Sequence, residues 1–315
     1  MPELPEVQTT VNGLNKVLKN HTITGVWSDY YVRTLHKRTD NIKHEKFFLH
    51  FKKEITGAKF LKSERRGKNV LIHLSDHSTP LRASKTILIH MKMTGHLLYG
   101  KYLQEKTNNK TQWKSEEKSL KDPFNQFIHF IINFDNGKSL AFSDMRKFAK
   151  VTLVETSRLH DLPEIAQLGP EANDMKLDWH ILKQRLLAKR RGQNVGKVKT
   201  VLMDQTVVAG IGNIYSDEIL WTAGIHPERH VTNLSDSDMK NILKAARAIL
   251  AKSITVGGDS MSDYRNIYGE RGGFQNSHKA YRQTSKPCQK KGCEGIILRK
   301  IIGGRSAHFC SVHQV

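Results

Sequence analysis

Cysteine is almost missing from this chain. Only Cys288, Cys293 and Cys310 occur among 315 residues, and all three lie in the last 28. An odd number confined to one end leaves the body of the protein without a disulfide framework, so stability has to come from an ordinary apolar core. Long apolar runs are missing as well. Nothing approaches the roughly 20 residues of a membrane span, and no signal-peptide pattern opens the sequence. The expectation is an intracellular protein with no membrane partner. Acidic residues are scarce beside basic ones, 30 Asp+Glu against 51 Lys+Arg, a formal charge of +21.

What is present fits a soluble protein with a buried core: 38% hydrophobic and 26% charged residues, in a chain long enough for two domains and a small module. A positive surplus of this size points to a polyanionic partner, most commonly nucleic acid. An anionic membrane surface would call for a basic amphipathic helix, and none stands out.

Along the chain, Val7, Val11, Leu14, Val17 and Leu18 recur at helical spacing, predicting a helix from Leu4 to Asn20. Short β-rich runs follow at Ile23 to Tyr31, Asn69 to Leu74, Thr86 to Met93, Phe127 to Phe134 and Val151 to Val154. Without long helices between them they read as an antiparallel sandwich or barrel. The polar stretch Lys101 to Gln126 reads as a solvated, mobile loop. From about His160 the texture is helical, with helices expected at Asp178 to Arg191, Thr200 to Gln205, Asn213 to Ala223 and Ser237 to Val256, the last stopped by Gly257-Gly258.

Four stretches carry chemistry. The chain opens Met1-Pro2-Glu3-Leu4-Pro5-Glu6. Once Met1 is removed, Pro2 ends the chain as a secondary amine, a nucleophile towards carbonyl carbon, with Glu3 and Glu6 beside it for acid–base work. Alone, two such glutamates merely favour a helix start. The spacing Cys288-x4-Cys293-x16-Cys310-x2-His313 supplies a tetrahedral structural Zn²⁺ site. The run Leu202-Met203-Asp204-Gln205 with Val208-Ala209-Gly210-Ile211-Gly212-Asn213 puts two glycines between helices. It reads either as a helix-start phosphate cradle or as an αα-hairpin whose glycines serve packing. Finally, Met93 and the Ser143-Asp144-Met145-Arg146-Lys147-Phe148 run hold side chains able to wedge into a base stack, or ordinary strand-end core residues.

Together these motifs resemble the formamidopyrimidine-DNA glycosylases, a family whose superfamily includes endonuclease VIII. The resemblance runs from Pro2 to His313. It implies a bifunctional DNA glycosylase and AP lyase of base-excision repair. Pro2 would be the Schiff-base nucleophile, Glu3 the acid–base residue and Lys68 the lysine tied to β-elimination and phosphate contact. Met93, Arg146 and Phe148 would fill the space left by the flipped nucleotide, Lys199 and Asn213 would touch phosphates, and Arg305 would grip phosphate and assist δ-elimination. The implied partner is DNA with oxidised bases or abasic sites, bound by a monomer.

The sequence departs from the family pattern in the x4 spacing of the first cysteine pair and in His313 as last ligand. Phe127 stands where a DNA-contacting histidine is expected, extra residues follow Lys189-Arg190-Arg191, and the 101–126 stretch is long.

The expected fold is α+β: residues 1–158 an antiparallel β-sandwich with the N-terminal helix, 159–280 a helical domain with a helix–two-turn–helix, and 281–315 a zinc-finger hairpin, with DNA in a basic cleft between the large domains. The Glu3-Leu4-Pro5 opening resembles the oxidised-purine branch. Oxidised pyrimidines, as in endonuclease VIII, are the second reading and a non-catalytic DNA-binding protein of the same fold the third.

Overall fold

The computed structural model describes residues 1–30, 40–75, 83–107, 110–188 and 196–315. The chain folds as two compact units, Met1–Ile165 with Gly257–Gly272, and Ala166–Val256 with Gly273–Val315.

In the first unit the N-terminal helix α1 (Leu4–Val17) starts on a capping box. The Glu3 side chain accepts from the N–H of Glu6, and the Glu6 carboxylate accepts from the N–H of Glu3 at 2.8 Å. There follow β1 (Ile23–Ser28), α2 (Glu45–Ile55), β2 (Phe60–Arg66), β3 (Asn69–Ser75), β4 (Ala83–His90), β5 (His96–Gly100), β6 (Leu103–Thr107), β7 (Lys110–Lys114), β8 (Ile128–Phe134), β9 (Ser139–Ser143) and β10 (Lys150–Glu155), then a single turn, α3 (Pro163–Ala166). Two four-stranded antiparallel sheets form, ordered β1-β8-β9-β5 and β10-β4-β3-β2. Alternate residues feed one shared core: Phe130, Ile132 and Phe134 from β8, Val70, Ile72 and Leu74 from β3, Ile87 and Ile89 from β4. Val7, Val11 and Leu14 of α1 and Phe48 and Phe51 of α2 pack against it. Removing the fully buried Phe130 ring from such a core costs about 3–5 kcal/mol.

The five expected strands form with shifted ends: β1 and β8 are shorter than expected, β3 and β10 longer, and β4 begins earlier, at Ala83. β4 stops at His90, because Lys92 turns into the left-handed region (φ 57°), so Met93 sits in a turn. Tyr31 lies outside the described residues. The stretch 101–126 is a correction. It holds the β6–β7 hairpin and two 3₁₀ turns, Lys118–Lys121 and Pro123–Gln126, with Leu120 and Asn125 buried. Residues 257–272 join this unit through Glu6, whose second oxygen accepts from Asp259 N at 2.7 Å, and through Tyr264, whose hydroxyl donates to Glu6 O at 2.9 Å. Gly258 at φ 85° makes that approach possible, since a Cβ there would lie 3.0 Å from the Glu6 side chain.

The second unit is built from α4 (Trp179–Leu187), α5 (Val198–Leu202), α6 (Asn213–Ala223), α7 (Asp236–Thr255) and the hairpin β11 (Ile297–Ile302) and β12 (Arg305–Cys310). α6 packs on α7, α4 on α7, α5 on α6, and β12 on α6. α6 spans the residues expected, opened by Gly212 and closed by Gly224 at φ 73°. A Ser235–Asp238 capping box starts α7. Because the finger hairpin rests on α6 it belongs to this unit, and residues 257–272 do not. Lys189-Arg190-Arg191 lies outside the described residues.

Candidate catalytic terminus and nucleic-acid interface

Pro2 is buried at the foot of α1, Glu3 is 2% exposed, and Met1 ahead of them is exposed. Lys68 occupies the two-residue turn between β2 and β3, after Gly67 at φ 56°, and is buried too. α1 and this hairpin are tied side by side. Arg65 Nε donates to Gln8 Oε1 (2.9 Å), Asn15 Nδ2 donates to Ser63 O (2.9 Å), and Ser63 N donates back to Asn15 Oδ1 (2.6 Å). As α1 advances from 8 to 15 the strand retreats from 65 to 63, so the helix start and the hairpin tip point to the same end. The sequence places Lys68 far from Pro2 and Glu3; this pairing puts all three at the same end of the helix–hairpin pair. His90, opposite Asn69 in the sheet, is neutral there. Burial first, then the Lys92 and Lys68 ammoniums, pull its pKa down to about 3, and its Nδ1 accepts from Lys92 N at 3.0 Å.

The three wedge residues stand in the open: Met93 is 37% exposed, Phe148 50%, and Arg146 is exposed with its guanidinium 4.4 Å from the Phe148 ring centroid. They sit on two loops, 91–95 and 144–149, pinned by a residue to which sequence reading gave no role. Asp144 is fully buried, and its carboxylate accepts from Thr94 Oγ1 (2.6 Å), Tyr30 OH (3.0 Å) and Ala149 N (2.9 Å). Burial, then the Asp144 charge, push the Tyr30 phenol well up, so it stays protonated and donates. Thr94 Oγ1 in turn accepts from Arg146 N (3.2 Å), joining one loop to the other. Lys147, between the wedge residues, adopts φ 53°. Phe127 lies just before β8, its carbonyl accepting from Asp144 N (2.9 Å), beside this same loop.

In the second unit the two-turn loop is laced by Gln205. Its Nε2 donates to Met203 O and Ile211 O (2.8 Å each), and its Oε1 accepts from Gly210 N (2.9 Å). Asn213 heads α6 where the positive end of the helix dipole lies, partly exposed as an anion contact requires. Lys199 lies beneath the start of α6. Its side chain is 0% exposed, and the ammonium donates to Asp217 Oδ1 (2.5 Å) and Ser216 Oγ (3.0 Å). A lysine enclosed and bonded in this way positions the start of α6. Asp217 Oδ2 also accepts from His308 N (3.0 Å) and pairs with His308 Nδ1 (2.8 Å), seating β12 on α6.

Arg305 is exposed beside the finger turn, where Gly303 (φ 55°) and Gly304 (φ 73°) form a tight type I′-like loop. At the other end, Cys288, Cys293, Cys310 and His313 offer ligand atoms all within 4.8 Å of one another, a set able to hold a metal ion. Cys288 Sγ lies 3.3 Å from His313 Nδ1, and Cys293 Sγ 3.6 Å from Cys310 Sγ and 3.8 Å from His313 Nδ1. A tetrahedral thiolate–imidazole ion sets its ligand atoms about 3.5–3.8 Å apart, so the four fit. His313 Nε2 donates to Trp221 O (2.9 Å), which leaves Nδ1 its lone pair for a metal. The x4 spacing is accommodated by Gly292 at φ 74°.

Family comparison agrees with this arrangement. Residues 1–151 match the model of the formamidopyrimidine-DNA glycosylase N-terminal domain, and residues 168–265 that of the formamidopyrimidine-DNA glycosylase H2TH domain. The formamidopyrimidine-DNA glycosylase of Desulforamulus reducens is 35% identical over 314 residues, covering 99% of this chain and 98% of its own. That of Bacillus subtilis is 32% identical over 314 residues, covering 99% and 98%. Among solved structures, the Lactococcus lactis Fpg protein in complex with abasic-site DNA superposes with a TM-score of 0.78 at 28% identity, covering 99% of each chain. A mutant of that protein with DNA containing Fapy-dG gives the same score, identity and coverage. The chain therefore belongs to the formamidopyrimidine-DNA glycosylase family.

Proposed function

We propose that this protein is a bifunctional DNA glycosylase and AP lyase of base-excision repair that removes oxidised purines, formamidopyrimidines and 8-oxoguanine, from DNA inside the cell. The observation that carries the reading is the match to the family over the whole chain, with Pro2 and Glu3 at the head of α1 on the rim that also holds Lys68. A base inside a duplex cannot be reached at C1′, so the nucleotide is flipped out, and Met93, Arg146 and Phe148 fill the space it leaves. With Met1 removed, the Pro2 nitrogen forms a bond to C1′ while the glycosidic bond breaks and the base leaves with a proton. Glu3 handles protons as the sugar opens to an iminium. Loss of a C2′ proton expels the 3′ phosphate, and a second elimination, with Arg305 on the phosphate, expels the 5′ one. Lys68 assists the first of these and Asn213 holds the backbone.

One Zn²⁺ bound by Cys288, Cys293, Cys310 and His313 would supply structure only, fixing the base of the hairpin that carries Arg305. Metal analysis should find about one zinc per chain.

Borohydride trapping on abasic-site DNA tests the mechanism. The cross-link should map to the N-terminal peptide of protein lacking Met1, and Glu3→Gln should slow base excision more than strand cleavage at an abasic site. Trapping on an internal lysine with Pro2 untouched would refute the nucleophile. A panel of duplexes bearing single lesions tests the substrate class, which fails if thymine glycol is excised faster than 8-oxoguanine.

A further inference from the structure

Beside the wedge loops the first unit has a cavity of about 800 Å³ that the proposed chemistry does not use. Trp27, Asp29, Trp113, Lys114, Phe127 and Lys147 line it. Its volume falls in the usual range for small-molecule sites. Two features of its wall point to one kind of occupant. The wall is rich in aromatic surface: the indoles of Trp27 and Trp113 lie 5.8 Å apart at 55° and are only half-buried, and Phe127 adds a third ring. Cations stand at the edge, Lys147 3.3 Å from Asp29 and Lys114 2.7 Å from Glu105, with His129 2.7 Å from Asp29. These partly exposed ion pairs are weak, and a phosphate can compete for either lysine.

Continuity with the wedge fixes what reaches the cavity. Lys147 stands between Arg146 and Phe148, and the Phe127 carbonyl is bonded to Asp144 of the same loop. The second wall comes from β7 of the hairpin in the long 101–126 stretch, which brings Trp113 over the apolar patch of Leu98, Ile128 and Ile131. A hairpin serving only to cover that patch would need neither the lysines nor the cavity.

We propose that this cavity receives an unpaired nucleotide of the bound DNA, its base against the indoles of Trp27 and Trp113 and its phosphate at Lys114 and Lys147. The inference rests on the DNA-repair reading above and extends it: the protein would hold single-stranded DNA beyond what its grip on a duplex explains.

The test compares two ligands on the full chain, a purine-rich single-stranded oligonucleotide and a blunt duplex containing an uncleavable tetrahydrofuran abasic analogue. Single strand should quench tryptophan fluorescence of the wild type. Trp113→Ala should weaken single-strand binding about tenfold, the scale of one base–aromatic stack, and change duplex binding by less than about twofold. Trp113→Phe should keep most of the single-strand affinity. Lys114→Glu, at an exposed site that leaves folding alone, should weaken the single strand and spare the duplex. Equal losses on both ligands, or no loss on either, would overturn the proposal and leave the hairpin as a cover for the core. Wild type that fails to bind the abasic duplex would instead overturn the repair reading itself.

Discussion

Two buried aspartates organise the surfaces through which this protein would meet DNA, and they do it differently. Asp144, under the wedge, is fully enclosed and surrounded by neutral donors: one phenol, one threonine hydroxyl and one backbone N–H. Asp217, under the helix–two-turn–helix, is as deeply enclosed but faces the Lys199 ammonium and His308. The first collects loops, leaving Met93, Arg146 and Phe148 outside. The second collects whole elements, α5, α6 and β12. A carboxylate served by neutral donors lets short, exposed loops keep their shape without a countercharge next to the phosphates. A buried ion pair binds larger pieces but becomes a liability once one partner is lost.

The sharpest way to break the comparison is to remove charge from each hub. Asp217→Asn strands a buried ammonium and should cost about 3–5 kcal/mol in urea unfolding, with the finger released from α6. Asp144→Asn keeps one acceptor oxygen and turns the other into a donor facing Thr94, so it should cost about 1–3 kcal/mol. That variant should also slow excision on a lesion duplex more than cleavage at a preformed abasic site. If Asp144→Asn proves the costlier of the two, the distinction between the hubs is wrong.

A pH titration sharpens the picture beside the first hub. His90 has a folded pKa of about 3 against about 6.5 in an unfolded chain. Above 6.5 both states are neutral and nothing is lost. As pH falls from 6.5 towards 3 the unfolded chain takes a proton that the folded one refuses, so stability should drop by up to about 1.4 kcal/mol per pH unit. His90→Gln should flatten that part of the stability curve.

The smallest effect belongs to the finger tip. Gly303 and Gly304 share positive φ, but a Cβ at 303 would meet Thr200 Cγ2 at 2.3 Å, whereas one at 304 meets nothing within 4 Å. Gly304→Asn should stay within about 0.5 kcal/mol of wild type in thermal melts, and Gly303→Asn should cost more. Equal costs would mean that backbone conformation, and not seating against α5, governs the tip.

What the sequence made legible was local. The cysteine–histidine spacing put four residues within reach of one ion, and α6 spans the residues expected of it. The β6–β7 hairpin escaped because its polar residues carry no alternation, its one apolar anchor being Trp113. The enclosure of Lys199 was not legible because residue type says nothing of burial: the lysine reads as a phosphate contact, and only the structure shows Asp217 paired with it. The hubs were illegible for a related reason. Tyr30 meets Asp144 across 114 residues and His308 meets Asp217 across 91, separations over which no pattern in one sequence reports. Pro2 and Glu3 were legible as an amine beside a carboxylate, whereas Lys68 was named through family resemblance, and only the α1–hairpin pairing gave a physical reason for treating the three together.

The hydrogen bond from Asp259 to Glu6 also bears on the order of events at the ribosome. The helix that follows Pro2 is synthesised well before its partner: the amide that binds Glu6 in its first turn comes 253 residues later. At about 5–20 residues per second, Glu6 waits roughly 13–50 s for that partner. Until then a carboxylate destined for the interior has to remain in water or leave the helix start unfinished. A fragment ending where the first family domain ends, at residue 151, would therefore lack the segment that closes the head of α1. The head of α1 would be among the last parts of the first unit to become permanent.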